Sequence, residues 1–420
     1  MESTVTYDWT IMNGSIEISG SDAILKQLNK EKVAVLLPVI IILCIFMTAG
    51  IIGNLIVFYV YYFRMKKTPS HYFILFLAML DLVSCCIGMP SELGDLLQPL
   101  TFSSPDACRF LRFVLCFVVI SSGITLICVA FDRYYKVCKP LKGFPVFKVK
   151  LLCGVSFFIG LVLSWPSVVL YGVRTVETKV PGLNGTECST SDAMIGTPLP
   201  VIYHVTLMAA FVVTFIVFVV LYSRIGLEIH RRKKMAIQRS TSSYSDFAKR
   251  REMTNSSMLS EEDSTSAISD EDHRTRKTAV RKMSSTQSNQ LLVRCNSANQ
   301  DTETYLTSPS GTLTKSDKLL VKRRKKSPFR SIRTTYIFLA VFIAFIVSYV
   351  PYLICNVLRF TKVFFHELNS NTEEIIYNLL VRSYFISNFV NPIIYSVLNK
   401  NFRVECRKIA LRFVRRFRSQ

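Results

Sequence analysis

The stretch FDRYYKVCKP, residues 131–140, follows directly on an apolar run that begins at Cys108. It places the pair Asp132 and Arg133 at the end of a segment that is long enough to cross a lipid bilayer as a helix. A charge at the rim of a bilayer can reach water, whereas a charge one turn deeper is costly and usually functional. Which of these positions the pair occupies depends on the arrangement of the rest of the chain.

The chain contains seven apolar segments of this length, which we name span one to span seven. They cover approximately residues 33–62, 71–97, 108–136, 149–171, 198–223, 334–360 and 374–398. Of the 420 residues, 50% are hydrophobic and only 19% are charged, whereas soluble domains have about 25% charged residues. The sequence therefore predicts an all-α integral membrane protein, built as a bundle of seven transmembrane helices.

Basic residues in the short connections predict the orientation of the bundle. The connections after spans one and three read RMKKTPSH and KVCKPLKGFPVFKVK, whereas SELGDLLQPLTFSSPDAC between spans two and three has no Lys or Arg. The positive-inside rule then predicts a multi-pass plasma-membrane protein with an extracellular N-terminus and a cytoplasmic C-terminus. We expect no cleavable signal peptide. The net charge of +22 is concentrated in these loops and the tail, which favours contact with anionic lipid over nucleic acid.

The same pattern divides the chain into five parts. They are an extracellular N-terminus (1–32), spans one to five with their loops (33–223), a long third cytoplasmic loop (224–333), spans six and seven (334–398), and a juxtamembrane tail (399–420). The third loop is rich in Ser, Thr and charge, so we expect it to be mostly disordered. In the tail, Phe402, Ile409 and Leu411 recur near helical spacing among Lys and Arg, which predicts an amphipathic helix on the inner leaflet. Cys406 is a candidate for palmitoylation, or else a plain interfacial thiol.

Covalent modifications are expected on the extracellular side. Cys108 and Cys188 both lie on that side, where disulfide bonds persist, so we expect them to pair and to hold the loop before span five over span three. The sequons at Asn13 and Asn184 lie on the same side and are candidate glycosylation sites.

Polar residues inside the spans are the most informative ones, because lipid penalises them. Asp81 lies in the middle of span two with no basic residue near it on its own helix. Such a carboxylate requires polar partners, a proton or a cation. Span seven contains the run NFVNPIIY, with Asn391, Pro392 and Tyr395, and span six contains Pro351 in FIVSYVPY.

Taken in order along all seven spans and the tail, these motifs resemble the rhodopsin-like (class A) G-protein-coupled receptors, and among them the peptide receptors. The resemblance implies that Asp132 holds Arg133 in the resting state and that Arg133 faces a G-protein in the active state. Tyr222 and Tyr395 would then swing inward to meet it. The residues that the resemblance assigns to coupling and activation are Asp132, Arg133, Tyr134, Tyr222, Phe345, Tyr349, Pro351, Asn391, Pro392 and Tyr395.

The resemblance also implies an allosteric ion site and no other cofactor. Asp81, Ser122, Ser387 and Asn391 match the positions of a sodium-binding pocket. Oxygen ligands around a Na⁺ would resolve the cost of burying the Asp81 carboxylate.

Some positions depart from the family pattern. Tyr349 stands where span six usually has the tryptophan of a Cys-Trp-x-Pro motif, and Thr214 stands where span five usually has a proline. Pro351 and Pro392 each remove a backbone hydrogen bond and are either hinges or static kinks. These departures leave the fold unaffected but put the details of the switch in question.

The class of ligand is less clear from the sequence. Leu115 stands seven residues after Cys108, where an amine receptor would have an aspartate, and Phe385 stands where an opsin would have the retinal lysine. A peptide is therefore expected, most plausibly a neuropeptide, with a lipid acid or another small anion as the alternative. Arginine suits a ligand carboxylate, although each arginine here could instead reach lipid headgroups. The candidate ligand residues are Glu92, Asp95, Arg109, Arg112, Leu115, Arg359 and Arg382.

Other functional classes fit the sequence less well. We find no internal repeat typical of transporters, no ring of like charges typical of channels, and no pair of catalytic groups within the spans. We therefore expect a non-enzyme whose partners are an extracellular peptide or small-molecule ligand, a heterotrimeric G-protein, arrestin, receptor kinases and membrane lipid. A multispan transporter is the alternative outside the receptor class.

Overall fold

The structure is a computed structural model that describes residues 14–139, 143–262, 328–360 and 370–418. The chain divides into two compact units, one formed by Met1–Ile229 with Ser327–Gln420 and the other by His230–Lys326. The helical bundle belongs to the first unit. In the second unit, the described residues are helical and end at Glu262.

Helices form at all seven predicted spans. Span one is the helix Gly14–Tyr59 followed by a π-helical turn, Val60–Arg64. Span two consists of Pro69–Val83, a π-helical turn Ser84–Gly88, and Met89–Leu97. Span three is Pro105–Cys138, and span four consists of Val146–Ser164 and Pro166–Leu170. Span five is the first part of Leu199–Glu262, and span six is Pro328–Phe360.

Span seven is interrupted, unlike the continuous helix that we expected. It consists of Asn371–Val381, a 3₁₀ turn Ser383–Phe385, and Ile386–Leu398. The break occurs at Arg382, whose φ of −101° and ψ of 5° lie outside the α-helical region. Within the described residues, six helical segments are long and apolar enough to cross a membrane, and the two shorter pieces of span seven are not among them.

Span one begins earlier than residue 33, where the apolar pattern starts. Its helix begins at Gly14, because residues such as Glu17, Leu25 and Lys26 favour helix even where they are polar. The Asn29 side chain donates to the Leu97 carbonyl over 3.1 Å and accepts from the Leu100 backbone over 3.0 Å. The added turns therefore pack against the connection between spans two and three.

Span five continues into the predicted third loop. We expected residues 224–333 to be mostly disordered, with spans five and six extending as helices into the two basic ends, and the helix of span five continues as far as Glu262. Residues 227–262 contain no glycine or proline and are rich in Lys, Arg, Met and Glu, so nothing in this stretch ends the helix. Residues 263–327, including the candidate phosphorylation sites in RKMSS and KRRKKSP, lie outside the described residues.

A β-hairpin covers the disulfide end of the bundle, which we define as the end that carries Cys108. Strands β1 (Tyr171–Glu177) and β2 (Asn184–Thr190) pair antiparallel, with Val173 opposite Cys188. β2 also binds the connection between spans two and three, since the Phe102 backbone donates to the Thr186 carbonyl over 3.0 Å. The hairpin is the only strand structure in the described residues, so the fold remains a helical bundle.

The surface and the core of the bundle are both apolar. Phe158 on span four is 66% exposed and Val205 on span five is 61% exposed, among many other apolar side chains. Such a continuous apolar surface is stable only in lipid. Inside, Gly160 of span four lies so close to span three that a Cβ there would be 1.9 Å from the Ser121 hydroxyl. This contact packs spans three and four at short range.

The predicted amphipathic helix is present at Lys400–Arg418 and packs against span one. Phe402 is 1% exposed and stacks on Tyr61 with ring centroids 5.7 Å apart. The Asn399 side chain donates to the Tyr61 hydroxyl over 2.7 Å, and Arg64 lies 3.3 Å from the Glu405 carboxylate. The hydrogen bond from Lys408, together with the nearby charge of Arg64, lowers the pKa of Glu405.

Candidate functional site

The pair Asp132 and Arg133 is buried inside the bundle, with 0% and 2% of the two residues exposed. Span three continues to Cys138, so Arg133 lies more than one turn before the helix ends. Arg133 Nε donates to Asp132 Oδ2 over 3.1 Å, and its Nη2 forms a second bond to the same oxygen. The pair is therefore removed from solvent inside the bundle and is held by other residues of the protein.

Two further residues complete the environment of this ion pair. Lys136 Nζ lies 2.9 Å from Asp132 Oδ2 and 3.1 Å from the Ser70 hydroxyl at the start of span two. Ser70 also accepts a hydrogen bond from Arg133 Nη2. One carboxylate is thus shared by two cations, and this arrangement keeps Arg133 turned toward spans two and three.

Three of the four tyrosines assigned to the predicted switch, Tyr134, Tyr222 and Tyr395, pack against other aromatic rings. Tyr222 stacks on Phe342 of span six at 6.2 Å, and Tyr395 packs against Tyr61 at 6.0 Å. The hydroxyls of Tyr222 and Tyr395 are buried, and within the described residues neither has a hydrogen-bond partner. Tyr134 is half-buried against Tyr135 at 5.7 Å. Two buried hydroxyls without partners are costly, which is consistent with partners gained in another conformation.

Asp81 lines a cavity in the middle of the bundle. The carboxylate is 4% exposed and accepts a hydrogen bond from Asn391 Nδ2 over 2.8 Å. The cavity has a volume of about 20 Å³, and its lining includes all four residues that we assigned to a sodium site: Asp81, Ser122, Ser387 and Asn391. A space of roughly 10–15 Å³ is sufficient for one water molecule, so this one suits a single small ion or water.

The chemistry of the cavity fits a hard cation. Asn391 Oδ1 is buried without a hydrogen-bond partner among the described residues, and Asp81 supplies a carboxylate beside it. The hydroxyls of Ser84, Ser122 and Ser387 line the same space. Oxygen ligands of this kind are what hard cations prefer.

Aromatic side chains form a layer next to the cavity. Tyr349, at the position usually occupied by tryptophan, packs on Phe345 at 4.5 Å and on Tyr384 of span seven at 5.8 Å. Tyr352 packs edge-on against Tyr384 at 5.4 Å. Pro351 lies within the continuous helix of span six, and Pro392 lies within the second piece of span seven.

Four charged side chains form a network at the disulfide end. Glu92 of span two lies 2.5 Å from Arg112 of span three and 3.0 Å from Arg382 of span seven. Arg112 also pairs with Asp95 and donates to the Cys188 carbonyl over 3.1 Å. We expected arginines suited to a ligand carboxylate or to lipid headgroups, and in the structure Arg112 and Arg382 are paired with acids from span two.

The other predicted ligand residues lie outside this charge network. Arg109 pairs with Asp106 over 3.1 Å on an exposed surface, and Leu115 is 8% exposed and lines the Asp81 cavity. Arg359 lies on the helix of span six, but its side chain is outside the described residues.

The predicted modification sites are only partly described. Cys108 and Cys188 form the expected disulfide, with Cα atoms 5.5 Å apart. Asn184 is exposed at the start of β2, and Asn13 is outside the described residues. Cys406 is half-buried against the bundle core, and burial raises the pKa of its thiol.

Several residues of the site were not predicted from the sequence. Asn388 donates to Ser84 over 2.6 Å, and the Asn388 carbonyl accepts from Asn54 over 2.7 Å. The spacing of Asn388 and Asn391 on one helix face was a usable signal. Ser70 and Lys136 gave no such signal, because a serine at a helix start and a lysine at a membrane rim are ordinary in both positions.

Comparison with known proteins agrees with this geometry. A family described as 7 transmembrane receptor (rhodopsin family) matches residues 53–395. The chain is 24% identical to neuromedin-U receptor 1 of Mus musculus over 55% of each chain. It is 27% identical to the neuropeptide S receptor of Mus musculus over 33% of this chain and 38% of that receptor. It is also 26% identical to the vasopressin V1b receptor of Homo sapiens over 51% and 48% of the two chains.

The aligned part of the chain spans about half the length, or less, of these curated relatives. The family match, in contrast, extends from span one to Tyr395 in span seven and covers most of the chain. It includes the buried Asp132–Arg133 pair, the Asp81 cavity and the Asn391–Pro392 segment. The family is one of receptors and not of enzymes. The chain therefore belongs to the rhodopsin family of seven-transmembrane receptors.

Proposed function

We propose that this chain is a cell-surface receptor for a neuropeptide and that it activates a heterotrimeric G-protein. The observation that carries the proposal is the burial of Arg133 between Asp132, Ser70 and Phe338, in a chain that belongs to the rhodopsin family. An arginine held in this way would act as a latch, by which we mean a contact that keeps the resting arrangement closed. Its release would expose a cation to a cytoplasmic protein.

A peptide ligand is supported by the relatives and by the charge network. The names of the neuropeptide S receptor and the neuromedin-U receptor refer to peptides. In this chain, Arg112 and Arg382 are neutralised by Glu92 and Asp95, so a small acid gains little by approaching them. A peptide can offer donors to the two carboxylates and acceptors to the two arginines at once.

Activation follows as a shift between two arrangements of the bundle. A ligand that binds one arrangement better raises its population. Ligand contact at the disulfide end would move span six away from span three near Thr334 and Thr335. Arg133 would then leave Asp132, and Tyr222 and Tyr395 would find partners for their hydroxyls.

The Asp81 cavity would hold Na⁺ in the resting arrangement. Asp81 would supply the negative charge, and Ser122, Ser387 and Asn391 would supply neutral oxygens. Bound Na⁺ would provide a positive charge beside a carboxylate that is otherwise buried with one hydrogen bond. Collapse of the cavity during activation would expel the ion, so sodium would lower the affinity for an activating peptide.

The remaining partners follow from the predicted topology. With the disulfide end outside the cell, Asn184 and Asn13 would carry glycans, and the C-terminal helix would lie on the inner leaflet. Its exposed basic residues face away from the packed Phe402, so they would meet anionic lipid headgroups. Receptor kinases would act on the serine-rich third loop, and arrestin would bind the phosphorylated receptor. Cys406 would carry a palmitoyl group.

The direct test is a screen of neuropeptides on cells that express the chain with a promiscuous G-protein reporter. We expect at least one peptide to give a saturable response, and we expect Arg133→Ala to abolish that response while radioligand binding persists. A panel of long-chain fatty acids and lysophospholipids tests the alternative ligand class. A response to these acids alone would refute the peptide assignment, and saturable uptake of a radiolabelled solute would refute the receptor assignment.

A further inference from the structure

The 3₁₀ turn in span seven connects the charge network at the disulfide end with the backbone of span six. The turn follows Arg382, whose side chain lies 3.0 Å from Glu92 in the charge network. The next residue, Ser383, is 7% exposed and donates its hydroxyl to the Ser348 carbonyl of span six over 2.7 Å. Two neighbouring residues thus bind two different spans.

The Ser348 carbonyl lies beside a weak point in span six. Pro351 has no N–H, so the Val347 carbonyl one turn earlier lacks its helical donor. The Ser348 hydroxyl is used locally and donates to the Phe345 carbonyl over 2.8 Å. The bond from Ser383 therefore comes from outside the helix to a carbonyl that adjoins this weak point.

Packing reinforces the same connection. Tyr384, the residue after Ser383, contacts Tyr349 at 5.8 Å and Tyr352 at 5.4 Å, on either side of Pro351. Residues 382–384 consequently contact the charge network, the backbone of span six and its aromatic layer. A helix of regular α-geometry would separate these side chains by about 100° per residue, and the break at Arg382 changes that arrangement.

We propose that Ser383 is a positioning residue that holds span six in its resting arrangement and relays the state of the Glu92–Arg382 pair to it. Displacement of Arg382 by a ligand would move the turn and withdraw the Ser383 hydroxyl from Ser348. Span six would then bend at Pro351 and release Arg133. This inference depends on the proposed function, since it concerns how a receptor of this kind is switched.

The test compares isosteric side chains at one position and needs no ligand. Ser383→Thr keeps a hydroxyl group, and Ser383→Val introduces a side chain of the same shape as threonine but without the hydroxyl. Each variant is expressed as the full chain, purified in lipid nanodiscs with a heterotrimeric G-protein, and assayed for ligand-free nucleotide exchange. One hydrogen bond lost from the resting state alone shifts the equilibrium roughly 3- to 10-fold, so we expect Ser383→Val and Ser383→Ala to raise basal exchange by that factor and Ser383→Thr to retain the original rate.

A buried serine elsewhere serves as the matched control. Ser156 of span four is 0% exposed and donates to the Leu152 carbonyl in its own helix over 2.8 Å. Ser156→Ala removes a comparable bond without touching span six, so basal exchange should be unchanged. An increase of the same size in Ser156→Ala, or equal exchange in the Val and Thr variants at position 383, overturns the proposal.

A double-mutant cycle tests the relay to the charge network. Glu92→Gln frees Arg382, and if the two sites act through one turn, Glu92→Gln combined with Ser383→Val raises exchange by less than the product of the single effects. If the two substitutions raise exchange by the product of their single effects, the relay is overturned, and only a local hydrogen bond between Ser383 and span six is left. If the unaltered chain responds to a peptide but all position-383 variants have the same basal exchange as the unaltered chain, this inference alone is contradicted. The absence of any peptide response contradicts the proposed function.

Discussion

The guanidinium of Arg133 and the ring of Phe338 are in direct contact, with the guanidinium carbon 5.2 Å from the ring centroid. Phe338 belongs to span six and is completely buried. A cation over an aromatic face is attracted by roughly 0.5–2 kcal/mol. Span six is therefore joined to span three through the same arginine that Asp132 holds.

Asp132→Asn should raise basal nucleotide exchange by roughly 10- to 150-fold, because a charge-assisted hydrogen bond worth roughly 1.5–3 kcal/mol is lost from the resting state. Lys136 loses the same partner, so the change leaves two cations without the carboxylate that they share. Exchange on a purified G-protein, normalised to receptor content, gives the measurement. Lys148→Ala, at an exposed position on span four, is the control and should behave as the unaltered chain. Basal exchange that stays the same in Asp132→Asn would exclude the ion pair as a latch.

Sodium should stabilise the receptor against heat through the Asp81 cavity. At a concentration of about 100 times its dissociation constant, a ligand stabilises the folded state by about 2.7 kcal/mol. We expect NaCl to raise the melting temperature of the purified receptor above its value in choline chloride at equal ionic strength. Asp81→Asn should abolish this difference, and Asp106→Asn, whose side chain is 88% exposed, should preserve it. A sodium effect that survives in Asp81→Asn would place the ion elsewhere.

Loss of the disulfide should destabilise the disulfide end strongly. The bond between Cys108 and Cys188 closes a loop of 80 residues, for which loop-closure entropy gives about 4 kcal/mol. Cys108→Ser should lower the melting temperature and ligand binding together, since the Cys188 carbonyl that accepts from Arg112 is displaced. Cys86→Ser removes an exposed free thiol and should have no effect. Equal melting temperatures of the two variants would contradict a structural role for the bond.

Gly160→Ala should destabilise the contact between spans three and four by about 1–3 kcal/mol, the usual cost of overpacking a core. The added methyl group would lie 1.9 Å from the Ser121 hydroxyl. Ser121→Gly in the same chain should restore most of the loss, because it removes the colliding atoms. Gly154→Ala on the same span meets nothing within 4 Å and should raise or preserve the melting temperature. A decrease in Gly154→Ala equal to that in Gly160→Ala would mean that the effect is not due to this contact.

Docking of the C-terminal helix should weaken in acid. The pKa of Glu405 is lowered first by the hydrogen bond from Lys408 on the same helix and further by Arg64 of span one. The contribution of the Arg64 pair to docking is therefore complete above the ordinary value of 4.5 and is lost as the pH falls through the lower folded value. A fluorophore on the helix should report increased mobility below that window in the unaltered chain. Glu405→Gln should be mobile already at pH 7 and insensitive to acid. A pH response in Glu405→Gln would assign the effect to another group.

The positions of the spans could be predicted because apolar length is a local property of the sequence. Residues 108–136 and 149–171 predicted spans three and four closely. The start of span one at Gly14 was missed, since residues 14–32 are polar and their helix is favoured by contacts such as that of Asn29 with Leu97 and Leu100. The break at Arg382 was missed for the same reason, because partners on other spans hold it.

Site residues could be predicted from the sequence where the burial of a single residue is costly by itself. Asp81 and the Asp132–Arg133 pair were identified because an ionisable group within a span demands a partner. The partners Ser70, Lys136 and Ser84 were not identified, because each is inexpensive alone and gains importance only from its neighbour in space. The pairing of Arg112 and Arg382 with acids from span two likewise requires knowledge of how spans two, three and seven face each other.

The π-helical turn Ser84–Gly88 determines which side chains span two presents to spans three and seven at the disulfide end. It accommodates one residue more than a regular turn, so the side chains that follow are rotated by about 100° from their directions in an unbroken α-helix. In this rotated orientation, Glu92 forms ion pairs with both Arg112 and Arg382. In a relative with the same acid but no extra residue in this turn, the acid would point to a different neighbour. Two such chains could therefore prefer different ligands because one helix is rotated, even though the contacting residues are the same.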